Sequence, residues 1–168
     1  GSDGWEAIFV DDNSTDGTAD EIRRIAQTDP QIRIIQRIGR RGLASAAIEG
    51  ICATSAPFVA VMDADHQHDP ALLPQMLAAV EQAECDVAVA SRFAAGGNAD
   101  GWAGQGRKRG SSLANWLARR ITGVSLSDPM SGFFLMRADR VRALAPRLSG
   151  IGFKLLLDIL AAANAPMQ

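Results

Sequence analysis

Two short acidic segments contain the residues of this sequence that could do chemistry. Asp11 and Asp12 follow one apolar run directly, and Asp63 and Asp65 follow another further along the chain. Gathered like charges repel, and each carboxyl group tends towards protonation unless a cation balances it. Hard divalent cations prefer carboxylate oxygens and commonly share them with phosphates and water. These residue types therefore predict a site for Mg²⁺ or Mn²⁺ with a nucleoside diphosphate as its second partner.

Each acidic segment taken alone has a simpler explanation. The stretch DDNSTDGT, residues 11–18, is typical of a helix-capping turn, and the Asp-Ala-Asp pattern of residues 63–65 occurs by chance in many proteins. His66 and His68 fit zinc poorly because their spacing is short and their neighbours are hard oxygen ligands. We interpret both histidines as loop residues. Only the joint placement of the two acidic segments favours a site.

Alternating apolar and amphipathic segments predict the elements that would bring the acids together. We predict strands over residues 6–10, 32–36, 58–62 and 86–91, and helices over residues 15–27, 42–54 and 70–82. This order is typical of an α/β protein with a mostly parallel, Rossmann-like sheet and right-handed crossovers. Ligands bind such sheets beyond the carboxyl ends of the strands, which is where both acidic pairs would lie.

The predicted helix starts differ in how clearly their caps are marked. The cap of the first helix is Asn13, Ser14 or Thr15, and Asp69 caps the third, with Pro70 at its first position. Beyond residue 91 the pattern changes. Residues 96–106 contain five glycines and predict a mobile loop, followed by a helix over 108–122, a strand over 131–137 and helices over 138–145 and 152–163.

The bulk properties indicate a soluble globular domain in a reducing compartment. The chain has 168 residues, 47% of them hydrophobic and 21% charged, with a net charge of -2. A charge so close to zero argues against nucleic-acid binding by bulk electrostatics. Cys52 and Cys85 have neither metal-ligand nor disulfide spacing. We find no membrane-spanning run and no signal-peptide pattern in the sequence.

Five motifs in a fixed order resemble one enzyme family. They are VDDNSTDGT, MDADHQHDP, SRFAAGG, DPMSGFF and GFKLLLDI, and together they reach from Trp5 to Ala163. The set is similar to family 2 glycosyltransferases with the GT-A fold, and more closely to the polyprenol-phosphate mannosyltransferases of the dolichol-phosphate mannose synthase type. The resemblance implies one GT-A catalytic domain over residues 1–168 that lacks the family's first strand and its basic C-terminal segment.

The resemblance also implies a role for individual residues. Asp63 and Asp65 would bind the metal, and Asp65 and Arg92 would be catalytic. A guanidinium suits the latter place because its planar fork binds phosphate oxygens in pairs. The residues implied in binding the nucleotide sugar are Val10, Asp12, Asp63, Ala64, Asp65, Gln67 and Arg92. Arg107 and Ser111 would bind the acceptor phosphate, whereas Asp11 would support the turn.

Less specific roles follow for the segment after the glycine-rich loop. The basic residues between 106 and 120 would lie near the membrane surface, or would form an ordinary solvated helix face. Trp102 and Trp116 would contact lipid or pack in the protein. Asp128 and Ser131 would orient the site through hydrogen bonds, or would only cap and turn the chain.

The implied reaction is a metal-dependent, inverting transfer of mannose from GDP-mannose to a polyprenyl phosphate at the cytoplasmic membrane face. No general base is required, because a phosphomonoester with a second pKa of about 6 is largely ionised near neutrality. One alternative is a UDP-sugar-dependent family 2 transferase that moves glucose or N-acetylglucosamine to a lipid phosphate or a glycan. Another is a phospho-receiver module, which also uses an acidic pair after one strand. The sequence makes no prediction of the oligomeric state.

Overall fold

The computed structural model of the protein describes residues 4–90, 131–152 and 154–164. These residues fall into two compact units. The first lies within Gly1–Ala56 and Gly150–Phe153, and the second within Pro57–Ser149 and Lys154–Gln168.

The first unit is a parallel pair of strands with a helix after each. It consists of β1 (Ala7–Asp11), α1 (Thr18–Ala26), β2 (Ile32–Gln36) and α2 (Leu43–Cys52). The strands pair in parallel from Ala7↔Ile32 to Asp11↔Gln36, so their carboxyl ends lie at one edge. This pairing confirms the β-α-β unit that the hydrophobic pattern predicts.

Helix α1 begins three residues later than its sequence predicts, at Thr18. Asn13 takes a left-handed conformation with φ of 63°, and the Asp16 carboxylate accepts hydrogen bonds from both the amide and the hydroxyl of Thr18. Gly17 occupies the N-cap position, and no side chain caps the helix. The predicted cap at residues 13–15 is therefore wrong, because the carboxylates of Asp11 and Asp16 accept the local hydrogen bonds and hold residues 13–17 in turns before the helix begins.

The second unit contains three short strands and three helices among the described residues. They are β3 (Phe58–Val61), α3 (Leu73–Glu81), β4 (Val87–Val89), β5 (Phe134–Arg137), α4 (Ala138–Leu144) and α5 (Leu155–Asn164). A single 3₁₀ turn, Pro70–Leu72, precedes α3. Asp69 caps that turn by accepting a hydrogen bond from the Ala71 amide at 2.9 Å, which confirms the predicted cap.

Strand β5 lies between β3 and β4 and runs antiparallel to both. Strands β3 and β4 therefore run in the same direction but are not neighbours, and both pairings of this sheet among the described residues are antiparallel. Phe134, Leu135 and Met136 of β5 are all buried, as expected of a central strand covered on both faces. The α/β class is confirmed, and the inserted antiparallel strand is a feature that the alternation of strands and helices did not predict.

The core of the second unit forms where α3 packs on β5. Met76 and Val80 of the helix contact Phe133 and Leu135, and all four are buried. This cluster fixes the start of β5. No helix among the described residues is long and apolar enough to cross a membrane, and the longest of them, α2 and α5, have 10 residues each.

Candidate functional site

The turn after β1 is organised by the buried side chain of Asp11. Its exposed fraction is 8%, and its Oδ2 atom accepts a hydrogen bond from the Ser14 amide at 3.0 Å. The backbone carbonyl of Asp11 accepts a bond from the Arg37 amide at 2.8 Å, which extends the strand pairing by one step. Asp11 thus holds the turn, which is the role that the resemblance implied for it.

Asp12 uses both of its carboxylate oxygens within the protein. Its Oδ1 atom accepts a hydrogen bond from Arg37 Nε at 2.6 Å, and its Oδ2 atom accepts one from the Gly42 amide at 2.8 Å. The side chain keeps an exposed fraction of 28%. The structure therefore fixes the direction of this carboxylate before any ligand binds, and a contact of Asp12 with a donor nucleoside stays a prediction.

Arg37 is the residue of this network that sequence reasoning missed. Its side chain is only 1% exposed, and besides Asp12 it donates to Ser45 Oγ at 2.9 Å and to the Gly42 carbonyl at 3.0 Å. Glu49 lies 3.7 Å from its Nη1 atom. A buried charge needs such partners, because desolvation without them is costly. The sequence feature that could have indicated this residue is the basic, glycine-containing stretch RIGRRG directly after β2.

Gly42 is held by both members of this ion pair. Its amide donates to Asp12 and its carbonyl accepts from Arg37, while its φ of 139° lies in a region that side chains disfavour. Since α2 begins at the next residue, the pair also sets where that helix starts.

The Asp12 carboxyl group has a pKa below its ordinary value of 3.8. Desolvation by burial would raise this pKa, but the hydrogen bonds from Gly42 and Arg37 and the positive charges of Arg37 and Arg41 outweigh it. A lowered pKa means that the native state prefers the ionised form, so the stabilisation is complete above pH 3.8 and is lost as the pH falls through the native pKa.

We expect this linkage to appear as a pH-dependent effect of Asp12→Asn. The variant should unfold at lower urea concentration than the wild type at pH 7, and the difference should shrink as the pH falls below about 4, where the wild-type carboxylate also loses its charge. Urea unfolding at a series of pH values measures it. A constant difference across that range would contradict the assignment.

Val10, also implied in nucleoside binding, is half-buried and packs beneath α2. A Cβ atom built at Gly50 of α2 would lie 3.1 Å from the Cγ2 atom of Val10, so the helix and the strand approach closely here. The packing places Val10 one residue before the buried Asp11, at the carboxyl end of β1.

The second acidic segment follows β3. Asp63 is half-buried, whereas Ala64, Asp65 and Gln67 are exposed. The Asp65 Oδ1 atom accepts a hydrogen bond from the Gln67 amide at 3.1 Å, and the intervening His66 takes a left-handed conformation with φ of 62°. These features form a tight turn that keeps both aspartates next to the end of the strand.

The carboxyl group of Asp63 lies against Gly132. A Cβ atom built on this glycine would be 1.9 Å from Asp63 Oδ2 and 2.5 Å from its Cγ. The neighbouring Ser131 is 4% exposed, and its hydroxyl donates to the Ala90 carbonyl at 2.9 Å. These hydrogen bonds of Ser131 are to backbone atoms, as expected of a residue that turns the chain, and a role of Ser131 in orienting the site stays a prediction.

One edge of the second sheet therefore gathers the ends of three strands. Val61 of β3 and Val89 of β4 both pair with Phe134, the first residue of β5. Asp63 and Asp65 follow the end of β3 at this edge, Ala90 follows the end of β4, and residues 131–133 precede β5.

Of the predicted site residues, the structure brings Asp63, Ala64, Asp65 and Gln67 together in this unit, while Val10 and Asp12 belong to the first unit. Arg92, Arg107 and Ser111 lie outside the described residues, as do Trp102, Trp116 and Asp128.

The donor set at this edge fits a hard divalent cation. Asp63 and Asp65 offer carboxylate oxygens, the ligands that Mg²⁺ and Mn²⁺ prefer. Within the described residues no three His, Cys, Asp or Glu side chains form a group able to hold a metal alone. A cation here would thus take its remaining ligands from water and phosphate. His68 contacts the Phe133 ring, with centroids 5.4 Å apart, which agrees with its interpretation as a loop residue.

The family model for glycosyl transferase family 2 matches residues 1–144 of this chain. The chain therefore belongs to glycosyl transferase family 2. This membership confirms the resemblance carried by the five motifs, and it is at odds with the phospho-receiver alternative.

Several curated relatives are similar to most of this chain. A dolichol-phosphate mannosyltransferase from Saccharomyces cerevisiae is 36% identical, with 96% of this chain and 59% of the relative covered. One from Pyrococcus furiosus is 33% identical, with 93% and 44% covered. An undecaprenyl-phosphate mannosyltransferase from Micrococcus luteus is 34% identical, with 89% and 63% covered. This chain thus spans between 44% and 63% of the length of these relatives.

A solved structure confirms the GT-A fold. Glucosyl-3-phosphoglycerate synthase from Mycobacterium tuberculosis, in complex with Mn²⁺, UDP-glucose and phosphoglyceric acid, matches with a TM-score of 0.64 at 20% identity. The match covers 91% of this chain and 51% of that one. At this identity the likeness concerns the fold alone.

Proposed function

We propose that this protein transfers mannose from GDP-mannose to a polyprenyl phosphate, with inversion, in a reaction that depends on Mg²⁺ or Mn²⁺. The observation that carries the proposal is the acidic pair Asp63 and Asp65, placed at the strand edge of a family 2 chain. The named relatives support the acceptor, because dolichyl and undecaprenyl phosphates share the polyprenyl phosphate group.

Asp63 and Asp65 would hold the cation together with the donor diphosphate. When bound, that cation supplies positive charge where negative charge develops on the departing diphosphate. Ala64 would contribute backbone contacts, and Gln67 would lie near the donor. Asp12 and Val10 would contact the nucleoside, with the Asp12 carboxylate already directed by Arg37.

The acceptor side needs positioning more than it needs a base. A phosphate monoester oxygen, already ionised near neutrality, would attack the anomeric carbon as the bond from that carbon to the diphosphate oxygen breaks. The products are a sugar phosphate lipid and a nucleoside diphosphate, and in-line displacement inverts the anomeric centre. Arg92 would contact donor and acceptor phosphates, and Arg107 and Ser111 would bind the acceptor phosphate. A lipid acceptor also supports a peripheral location at the cytoplasmic membrane face.

We expect guanine nucleotides to stabilise the protein only when a divalent cation is present. Thermal unfolding would be measured with GDP, UDP, GDP-mannose and UDP-glucose, each with and without Mn²⁺. At one hundred times its dissociation constant, a ligand that binds only the native state adds about 2.7 kcal/mol, which is a readily measured shift.

The same experiment separates the alternatives. Stabilisation by uracil nucleotides alone would favour the UDP-sugar transferase, and indifference to every nucleotide would contradict both. Transfer itself is tested by incubating GDP-mannose with vesicles that contain a polyprenyl phosphate and extracting the mannosyl lipid into organic solvent. Vesicles without the polyprenyl phosphate are the control.

A further inference from the structure

Gly132 lies directly against the Asp63 carboxyl group. The three heavy atoms nearest to a Cβ at this position all belong to Asp63, at 1.9 Å for Oδ2, 2.5 Å for Cγ and 3.1 Å for Oδ1. Real Cβ atoms do not come so close to another side chain, because packed atoms repel steeply below van der Waals contact. The carboxyl group therefore occupies space that any residue other than glycine would fill.

The backbone on both sides of Gly132 is anchored. Ser131 donates to the Ala90 carbonyl and accepts a hydrogen bond from the Phe133 amide at 3.1 Å. Ala90 in turn donates its amide to the Phe133 carbonyl at 3.0 Å, and the Phe133 side chain is completely buried. Gly132 lies between two residues tied to the end of β4 and to the core, so it has little freedom to move away from Asp63.

We propose that the turn Ser131-Gly132-Phe133 is a positioning element for the metal-binding carboxylate, with the missing side chain of Gly132 leaving the space that the Asp63 carboxyl group occupies. The inference rests on the proposed function in one respect, namely that Asp63 binds the cation. Groups that surround a ligating carboxylate fix its orientation, and changes in them lower metal affinity. The same turn contacts the acidic segment that follows β3 and is hydrogen-bonded to the end of β4. It therefore restrains both strand ends.

The first test is the metal requirement of Gly132→Ala. In the presence of GDP, the Mn²⁺ concentration that gives half of the thermal shift should rise roughly tenfold to a hundredfold. Gly4→Ala is the matched control, because a Cβ at Gly4 has nothing within 4 Å, and it should leave the Mn²⁺ requirement unchanged. A wild-type requirement in Gly132→Ala would overturn the proposal.

The second test needs neither metal nor nucleotide. Gly132→Ala, Asp63→Ala and the double variant would be compared with the wild type by urea unfolding. If the new methyl group conflicts with the carboxyl group, Gly132→Ala should destabilise the wild type strongly and the Asp63→Ala background far less. Equal losses in both backgrounds, or a double variant that fails to fold, would overturn the proposal. Should the wild type show no metal-dependent nucleotide response, the proposed function fails, while this cycle still decides whether Gly132 positions Asp63.

Discussion

Asp65→Asn is expected to abolish the metal-dependent stabilisation by guanine nucleotides. The amide has the size of the carboxylate, and its oxygen can still accept the hydrogen bond that Asp65 receives from the Gln67 amide. The turn should therefore survive, while one of the two negative charges offered to the cation is lost. The stabilisation to be lost is about 2.7 kcal/mol at one hundred times the dissociation constant, measured as the thermal shift by GDP with Mn²⁺.

Asp69→Asn is the matched control for this variant. Asp69 is exposed, as Asp65 is, and its side chain caps the 3₁₀ turn at Pro70–Leu72. Asparagine is an equally good cap, so the control should keep both its stability and its response to GDP. If Asp65→Asn responded to GDP and Mn²⁺ as the wild type does, Asp65 would not be a metal ligand.

Arg37→Met should destabilise the protein by about 3 kcal/mol, since removal of the buried guanidinium leaves the partly buried Asp12 carboxylate without its counter-charge. Arg37 is 1% exposed, and its loss would leave the Asp12 carboxylate without the guanidinium that approaches to 2.6 Å. The Gly42 carbonyl and the Ser45 hydroxyl would lose a donor as well. Urea unfolding at pH 7 measures the change.

Arg40→Met provides the comparison for Arg37→Met. Arg40 pairs with Glu49 at 3.0 Å, but its side chain is 64% exposed, and such surface pairs contribute less than about 1 kcal/mol. Arg37→Lys should fall between wild type and Arg37→Met, because lysine keeps the charge without the planar fork. Equal losses in the free energy of unfolding for Arg37→Met and Arg40→Met would show that burial of the Arg37 guanidinium does not add to stability.

The variants Arg37→Met and Asp65→Asn test different units of the molecule. Arg37→Met concerns the first unit and the direction of Asp12, and Asp65→Asn concerns the second unit and the cation. If Asp12 contacts the donor nucleoside, as proposed, Arg37→Met should also weaken the response to GDP at temperatures where the variant is folded. A response of unchanged strength would separate the ion pair from nucleotide binding.

Local pattern was enough to predict most elements and the acidic turns. The apolar runs of β1, β2 and β3 stand between turn residues, and α1 and α3 carry their buried residues on one side. These properties depend on neighbouring residues, which is why they can be read without a structure. Motif order in the sequence also predicted the family. Arg92, Arg107 and Ser111 lie outside the described residues, and their roles stay predictions.

Three features were decided only by tertiary structure, and they share a physical cause. The place of β5 between β3 and β4, the Arg37–Asp12 ion pair and the approach of Gly132 to Asp63 all join residues distant in sequence. An apolar run shows that a strand is buried but not which strand pairs with it. A basic residue in a glycine-containing loop equally suits solvent or a buried carboxylate. Where the backbone φ is one that any residue can adopt, the need for a glycine becomes evident only when the atom that fills the space beside it is known.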